Sequence, residues 1–562
     1  MLKNGKNKIL TIGLILLMTI GLFSSCGQGE NSNLITDDQK LTWNISSDPE
    51  NIDPTLSISY NSSTIIKALF EGLTKLDNNG NIIPGVAESF PIISEDGLNY
   101  KFKIRDDAKW SDGKNVSSKD FVYSIRRALT LKSSNYIFEL FNIKNAKSFH
   151  DGLVSFEEVG VKADDDLSLE ITLENPAPYF LELLSHPIFM PLREDVISKI
   201  VDDSINYWTY DPKTCISNGP FKLKRWIRND KIEVIKNEEF FNAENVKLQE
   251  ITFKIIEDKK DAIYAFKNGE IDFIEKPPTS EIIPLTDESL YKVFPIIGTY
   301  YLILNQSPEF VNMNPDYAKV LKDVRIRRAL SLAIDRQSII DVITMSGEKP
   351  ALSLVPSVIK DDKGRELNDN NYLIDNDIQE AKRLLREVGY PNGKNFPRLQ
   401  YIYTMHSSNE NNENIAKAIQ SMWRDNLGIN IELIGINLDS IENVKNSKEY
   451  LITNESEIGN YMDASIFLLN FYSKSEKNHT GYNNPLFDKK IEASMKETDT
   501  SKRIELLKDC ESILMEDSIV IPIFFHTLPT AIKPYVKNVI ILPTGAINFE
   551  NIYIDKTKKL KI

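Results

Sequence analysis

Cysteine is almost absent from this 562-residue chain, which has only Cys26, Cys215 and Cys510. That scarcity excludes the dense disulfide framework of small secreted domains, and a chain this long does not need one. Cys215 and Cys510 read as two separate buried thiols, with a single bridge between them as the alternative. Histidine is also scarce. His150, His186, His406, His479 and His526 stand far apart, none at ligand spacing with another His or a Cys, which disfavours a locally assembled metal site. The chain lacks a Gly-x-x-x-x-Gly-Lys-Ser/Thr phosphate loop, a His-Glu-x-x-His helix and a Gly-x-Ser-x-Gly elbow. Asp106-Asp107 and Asp164-Asp165-Asp166 sit in polar surroundings and read as solvated turns. The expectation is no catalytic residue, no metal and no cofactor: a binding protein, not an enzyme. Basic charge is outweighed, 67 Lys and Arg against 81 Asp and Glu, for a net −14. Such a surface repels phosphate backbones, so nucleic acid is not an expected partner.

Long apolar runs are missing after residue 26, and the one before it is short. Lys3, Lys6 and Lys8 precede the uncharged stretch Ile9–Phe23, which closes on Ser24-Ser25-Cys26. A basic start, a short apolar core and small residues before a cut describe a secretory signal over residues 1–25. About 15 apolar residues are too few to span about 30 Å of hydrocarbon comfortably. The cut resembles a bacterial lipobox, with Phe23 in place of the usual small or aliphatic residue. The resemblance implies a lipid on Cys26, a tether over residues 26–40, and a protein held on the outer face of the cell membrane. An ordinary signal with a coincidental Cys is the alternative. Removing residues 1–25 takes away three lysines and no acid, leaving a charge near −17.

Beyond the tether, helical and strand patterns alternate to the end. Tyr100, Phe102 and Ile104 alternate with Lys101, Lys103 and Arg105, the period of a half-buried strand. Ser117 with Asp120 predicts a capping box, and Phe121, Ile125, Ala128 and Leu129 then share one helical face. Asp377 predicts a helix start, with Ile378, Ala381, Leu384, Leu385 and Val388 inward and Gly389 as the stop. Ile415, Ile419, Met422 and Trp423 form another stripe, ended at Leu427-Gly428. The length demands more than one domain, yet no low-complexity linker or repeat separates them. That combination implies interleaved domains.

A series of collinear phrases resembles the oligopeptide-binding proteins of ABC importers. Leu69-Phe70-Glu71-Gly72-Leu73, Pro84-Gly85-Val86-Ala87-Glu88-Ser89-Phe90 and Arg105-Asp106-Asp107-Ala108-Lys109-Trp110-Ser111-Asp112-Gly113 open it. Asn218-Gly219-Pro220-Phe221, Asn268-Gly269-Glu270-Ile271-Asp272 and Val324-Arg325-Ile326-Arg327-Arg328-Ala329-Leu330 continue it, and Ile519-Val520-Ile521-Pro522-Ile523 closes it. The resemblance implies an α/β, two-lobed periplasmic-binding-protein-like fold of type II in its large three-domain form, with a hinge and a central cleft. Residues 41–70, 193–298 and 526–562 would build lobe I, 71–192 an extra domain II, and 299–525 lobe III. The implied function is capture of extracellular oligopeptides by a monomeric receptor that delivers them to the permease subunits of an ABC importer. A signalling-peptide receptor, a binder of a nickel chelate, haem or oligosaccharide, and, remotely, a lipid-anchored hydrolase are the alternatives.

By the same resemblance the peptide lies extended and pairs with protein backbone as an added strand. The segments implied are Ile58-Ser59-Tyr60 and Glu457-Ile458-Gly459. Relatives commonly hold the peptide's ammonium with an aspartate in a phrase like Ala-Asp-Tyr-x-Asp/Glu-Pro. This chain reads Gly459-Asn460-Tyr461-Met462-Asp463-Ala464. Asn460 supplies no charge, which predicts a weaker hold on a free N-terminus and a narrowed or shifted ligand preference. Glu455, Glu457 and Asp463 are candidate substitutes. Lys445 is a candidate for a ligand carboxylate, with a solvated surface lysine as the reading preferred.

Overall fold

The computed structural model describes residues 39–56, 59–131, 136–198, 207–313, 315–367, 372–405, 411–555 and 557. The expected signal segment, Cys26, the tether up to residue 38, Ile58 and His406 lie outside them. Gln39 and Lys40 correct the tether's expected end. Lys40 begins the first strand, and Gln39 is buried, donating to the Ile554 carbonyl at 3.0 Å and accepting from the Ile554 N–H at 2.8 Å.

The centre is an eleven-stranded mixed sheet, its strands numbered in chain order. They are β1 (Lys40–Ile45), β2 (Phe221–Ile227), β3 (Lys231–Lys236), β4 (Glu250–Ile255), β5 (Phe273–Glu275) and β6 (Tyr291–Leu304), then β7 (Lys349–Pro350), β8 (Leu399–Met405), β9 (Ile431–Asn437), β10 (Ile452–Ile458) and β11 (Val520–Ile532). Their spatial order is β9-β8-β10-β6-β11-β5-β1-β4-β3-β2, with β7 against β11. Strands from the N-terminal part and the chain end therefore occupy one half, and strands from the later middle occupy the other. Only β6 and β11 run through both halves, as an antiparallel pair. Their ladder breaks midway: Pro295 faces Thr527, the next partners are Thr299 and Phe525, so three residues of β6, Ile296–Gly298, stand against one of β11, His526.

Alternation along β6 builds the second half on two faces. Tyr300, Leu302 and Leu304 belong to one buried cluster, and Tyr301 and Ile303 to the cluster on the other side. The first half shares one continuous core with residues 71–192. Those residues carry their own four-stranded sheet, ordered Ile92–Ile93, Asn99–Lys103, Ser168–Thr172, Val161–Ala163. Helix Ser118–Thr130 packs on it, its box closed by the Ser117 N–H donating to Asp120 at 2.8 Å, with Phe121, Ile125, Ala128 and Leu129 buried. The helices Ile378–Glu387 and Asn411–Leu427 follow their stripes, the first capped by Asp377 and both followed by glycines at positive φ, Gly389 and Gly428.

Two of the sequence phrases turn out to be halves of one junction. Asn218 accepts from the Glu71 N–H at 3.1 Å and donates to the Glu71 carbonyl at 2.9 Å. Gly219 lies so close that a Cβ there would sit 2.7 Å from the Leu69 and Phe70 backbone. Cys215 and Cys510 are both buried and free, in separate clusters, which excludes the bridge. Burial pushes each thiol up to about 12. Among the described residues no helix is long and apolar enough to cross a membrane.

Candidate ligand-binding cleft

The break in the β6–β11 ladder lies where the two halves of the sheet meet, the place expected for the cleft. β10 lies beside it. Along its whole length β10 pairs with β6, from Gly298 opposite Ile458 to Leu304 opposite Ile452. On its other side it meets β8 only at Ile452 and Thr453. Among the described residues, 454–458 therefore keep an edge with no strand against it, where alternate residues turn N–H and C=O outward. Ile458 is 55% exposed there. Gly459 behaves differently from the expectation that its backbone meets the ligand: its N–H donates to the Ile297 carbonyl at 2.8 Å, anchoring the end of β10 to the ladder break.

On the opposite wall, Ser59 and Tyr60 begin a helix, Tyr60–Leu69, instead of lying as an extended segment. Ser59 is its N-cap, accepting from the Ser62 N–H at 3.2 Å. The Ser59 carbonyl accepts from the Ser63 N–H at 3.1 Å and the Tyr60 carbonyl from the Thr64 hydroxyl at 3.0 Å. Each carbonyl thus carries one bond inside the helix, and the segment is helical where an extended strand partner was expected. The Tyr60 ring still faces open space, 39% exposed beside Gly545. Crowding and the neighbouring Glu275 raise its hydroxyl well above the usual range.

Residues 71–192 supply a third wall. Asn460 Nδ2 donates to Glu139 Oε1 at 3.1 Å. Tyr461 stacks on Tyr179 with centroids 4.3 Å apart, and the Met462 N–H donates to both oxygens of Glu182 at 3.1 Å. Asp463 takes a two-point ion pair from Arg503 at 2.6 and 3.0 Å, both side chains largely buried. The three substitutes considered for the missing charge thus separate. Asp463 belongs to Arg503. Glu455 belongs to Lys445, at 2.8 Å. Glu457 has no ion pair among the described residues and accepts only from Asn470 Nδ2 at 3.1 Å. Lys445 is not a solvated surface lysine: it is 4% exposed and also reaches Glu442 at 3.1 Å, because two carboxylates draw it inward.

Electrostatics around the cleft run one way. Burial lifts Glu182, Glu275 and Glu457 each to about 7, and lifts Glu139 as well, with Lys477 and the Asn460 hydrogen bond opposing at Glu139. None of the four is ion-paired among the described residues. Glu139 and Glu182 were missed from sequence, since nothing local marks either as facing Asn460–Met462. His526 Nε2 lies 2.8 Å from Ser456 Oγ, and burial with Lys276 nearby lowers the imidazole to about 4. No carboxylate orients the other ring nitrogen among the described residues, so the pair lacks the third member of a hydrolytic triad.

The model for bacterial extracellular solute-binding proteins, family 5 (middle region), matches residues 81–479. The chain belongs to that family. Among family relatives, it is 33% identical over 558 residues to the oligopeptide-binding protein OppA of Bacillus subtilis, covering 97% of this chain and 98% of that protein. It is similar in structure to the unliganded open form of the periplasmic murein tripeptide-binding protein MppA, with TM-score 0.77, 30% identity, and 92% and 98% of the two chains covered. It is also similar to Haemophilus influenzae OppA in complex with the peptide RPPGFSPFR, with TM-score 0.71, 28% identity and coverage of 93% and 100%. The two-lobed α/β fold and the solute-binding family expected from sequence are both found.

Proposed function

We propose that the protein captures oligopeptides in this cleft and delivers them to the permease of an ABC importer, as a monomeric receptor held at the outer membrane face through a lipid on Cys26. The observation that carries the peptide reading is the edge of β10 at residues 454–458, unpaired among the described residues and a template for an added strand, next to the carboxylates Glu139 and Glu457, which feel Lys477 but form no ion pair among the described residues. Main-chain pairing is indifferent to side chains and suits a receptor of many peptides. The position of Asn460 supports a revised view of the amine end. The charge it lacks is available from Glu139 across the hydrogen bond and from Glu457 on β10, so a free ammonium retains two acceptors. The break at Ile296–Gly298 and His526 is the proposed hinge, with lobe I, domain II and lobe III as delimited by sequence, save Gln39 and Lys40. Rotation there would close the lobes over the ligand.

Native mass spectrometry of the protein purified from a bacterial host tests this. Adducts that release as peptides under denaturation are the expected result. A retained non-peptide solute, or no affinity for any peptide pool, would overturn it.

A further inference from the structure

One titratable group near the cleft has no role in the account so far. Lys67 lies in the last turn of helix Tyr60–Leu69, about two turns from Tyr60. It lines a cavity of about 60 Å³ between the end of this helix, residues of the 71–192 part and the stretch 540–548, together with Glu71, Thr74, Asn78, Ser185 and Asn548. That volume holds a few waters, at about 10–15 Å³ each, or one carboxylate group. The cavity also holds the acids Glu71 and Asp77, the second accepting from the Asn79 and Asn81 N–H groups at 2.8 and 2.9 Å. Lys75 lies 2.9 Å from Glu550 and 3.8 Å from Glu71, two acids around one ammonium. Lys67 has neither an ion pair nor a hydrogen bond among the described residues. Its charge acts on His186, a buried ring that stays neutral and packs edge-on to Tyr136 at 4.7 Å. Tyr136 in turn neighbours Glu139. Lys67 thus stands at one end of the wall and Glu139, beside Asn460, at the other.

Lys67 is half-buried with no counter-charge among the described residues, and burial lowers its ammonium to about 8. We propose that the Lys67 cavity is a carboxylate subsite, which receives an acidic group of the bound peptide, either its C-terminal carboxylate or an Asp or Glu side chain. The ammonium is the charge donor, and the Asn78 and Asn548 amides are polar groups in reach of the same cavity. The inference rests on the peptide reading above and adds an acidic requirement to it. Seven residues at 1.5 Å each put Lys67 about 10 Å from Tyr60 along the same helix.

The test uses the whole protein and a synthetic pool of tri- to hexapeptides in three forms: free acid, C-terminal amide, and amide carrying one internal Glu. Bound members are read by mass spectrometry, for the native protein and for Lys67→Met and Lys67→Arg, with thermal melting as the folding control. The expected result is enrichment of the free acid or of the Glu-bearing amide over the plain amide by tenfold or more. The favoured form identifies the carboxylate's source. Lys67→Met loses the enrichment while still binding peptides, and Lys67→Arg keeps it. Equal retention of all three forms by the native protein would overturn the inference and leave the peptide reading standing, whatever the variants do. Retention of no peptide at all would overturn both.

Discussion

The charge at the amine end gives the most demanding prediction. Glu139→Gln and Glu457→Gln keep side-chain size and an acceptor oxygen but remove the negative charge on either side of Asn460. A hydrogen bond to a charged group contributes about 1.5–3 kcal/mol, against about 1 kcal/mol for a neutral pair. Each substitution therefore costs about 1 kcal/mol for a ligand with a free ammonium, and the double variant about 2 kcal/mol, roughly a thirtyfold loss of affinity. An N-acetylated twin has no ammonium to lose, so its affinity stays unchanged in the variants. Isothermal titration near pH 7.5 reads both ligands, using a peptide recovered with the native protein. The reasoning fails if the native protein binds free and acetylated forms alike, or if the double variant weakens both equally.

Other consequences are separable. Glu457 holds a proton up to about pH 7, and a docking ammonium must displace it; affinity for free-amine peptides therefore rises between pH 6 and 7.5, with proton uptake by the buffer, and falls again as the peptide amine titrates near about 8. Arg503→Met strands the Asp463 carboxylate, and denaturant unfolding should show a loss of about 3–5 kcal/mol, largely regained in Arg503→Met with Asp463→Asn. Glu511 is buried with its carboxyl pushed up to about 8, while its unfolded form ionises near 4.5. Between those values the unfolded chain binds fewer protons, so this group's contribution to stability declines as pH rises from about 4.5 to about 8, and Glu511→Gln should flatten that part of the melting profile.

What could be read in the sequence was whatever is local or periodic. The box at Ser117 and Asp120, the stripes of Ile378–Glu387 and Asn411–Leu427, and the alternation through Tyr100 and Phe102 each depend on neighbours within a few residues. Glu457 to Asn460 could be singled out because they follow a recognisable phrase, and they fall at the end of β10 and just past it. Ser59 and Tyr60 open a helix for a local reason: the Ser59 hydroxyl caps it through the Ser62 N–H, while the Ser63 N–H and the Thr64 hydroxyl bond the two carbonyls. Lys445 was misjudged because its partner Glu455 lies on another element, a strand ten residues on. Glu139 had no signal at all. It lies 321 residues from Asn460, on a short helix whose pattern marks only its core side.

Hydrogen–deuterium exchange at the backbone of Asn454–Ile458, with and without saturating peptide, tests the central claim most directly. A peptide paired to the open edge of β10 would slow exchange at the alternate amides that face away from β6, while the amides bonded to β6 stay as slow as before. Unchanged exchange at every one of these residues in a peptide-saturated protein would contradict the added-strand account.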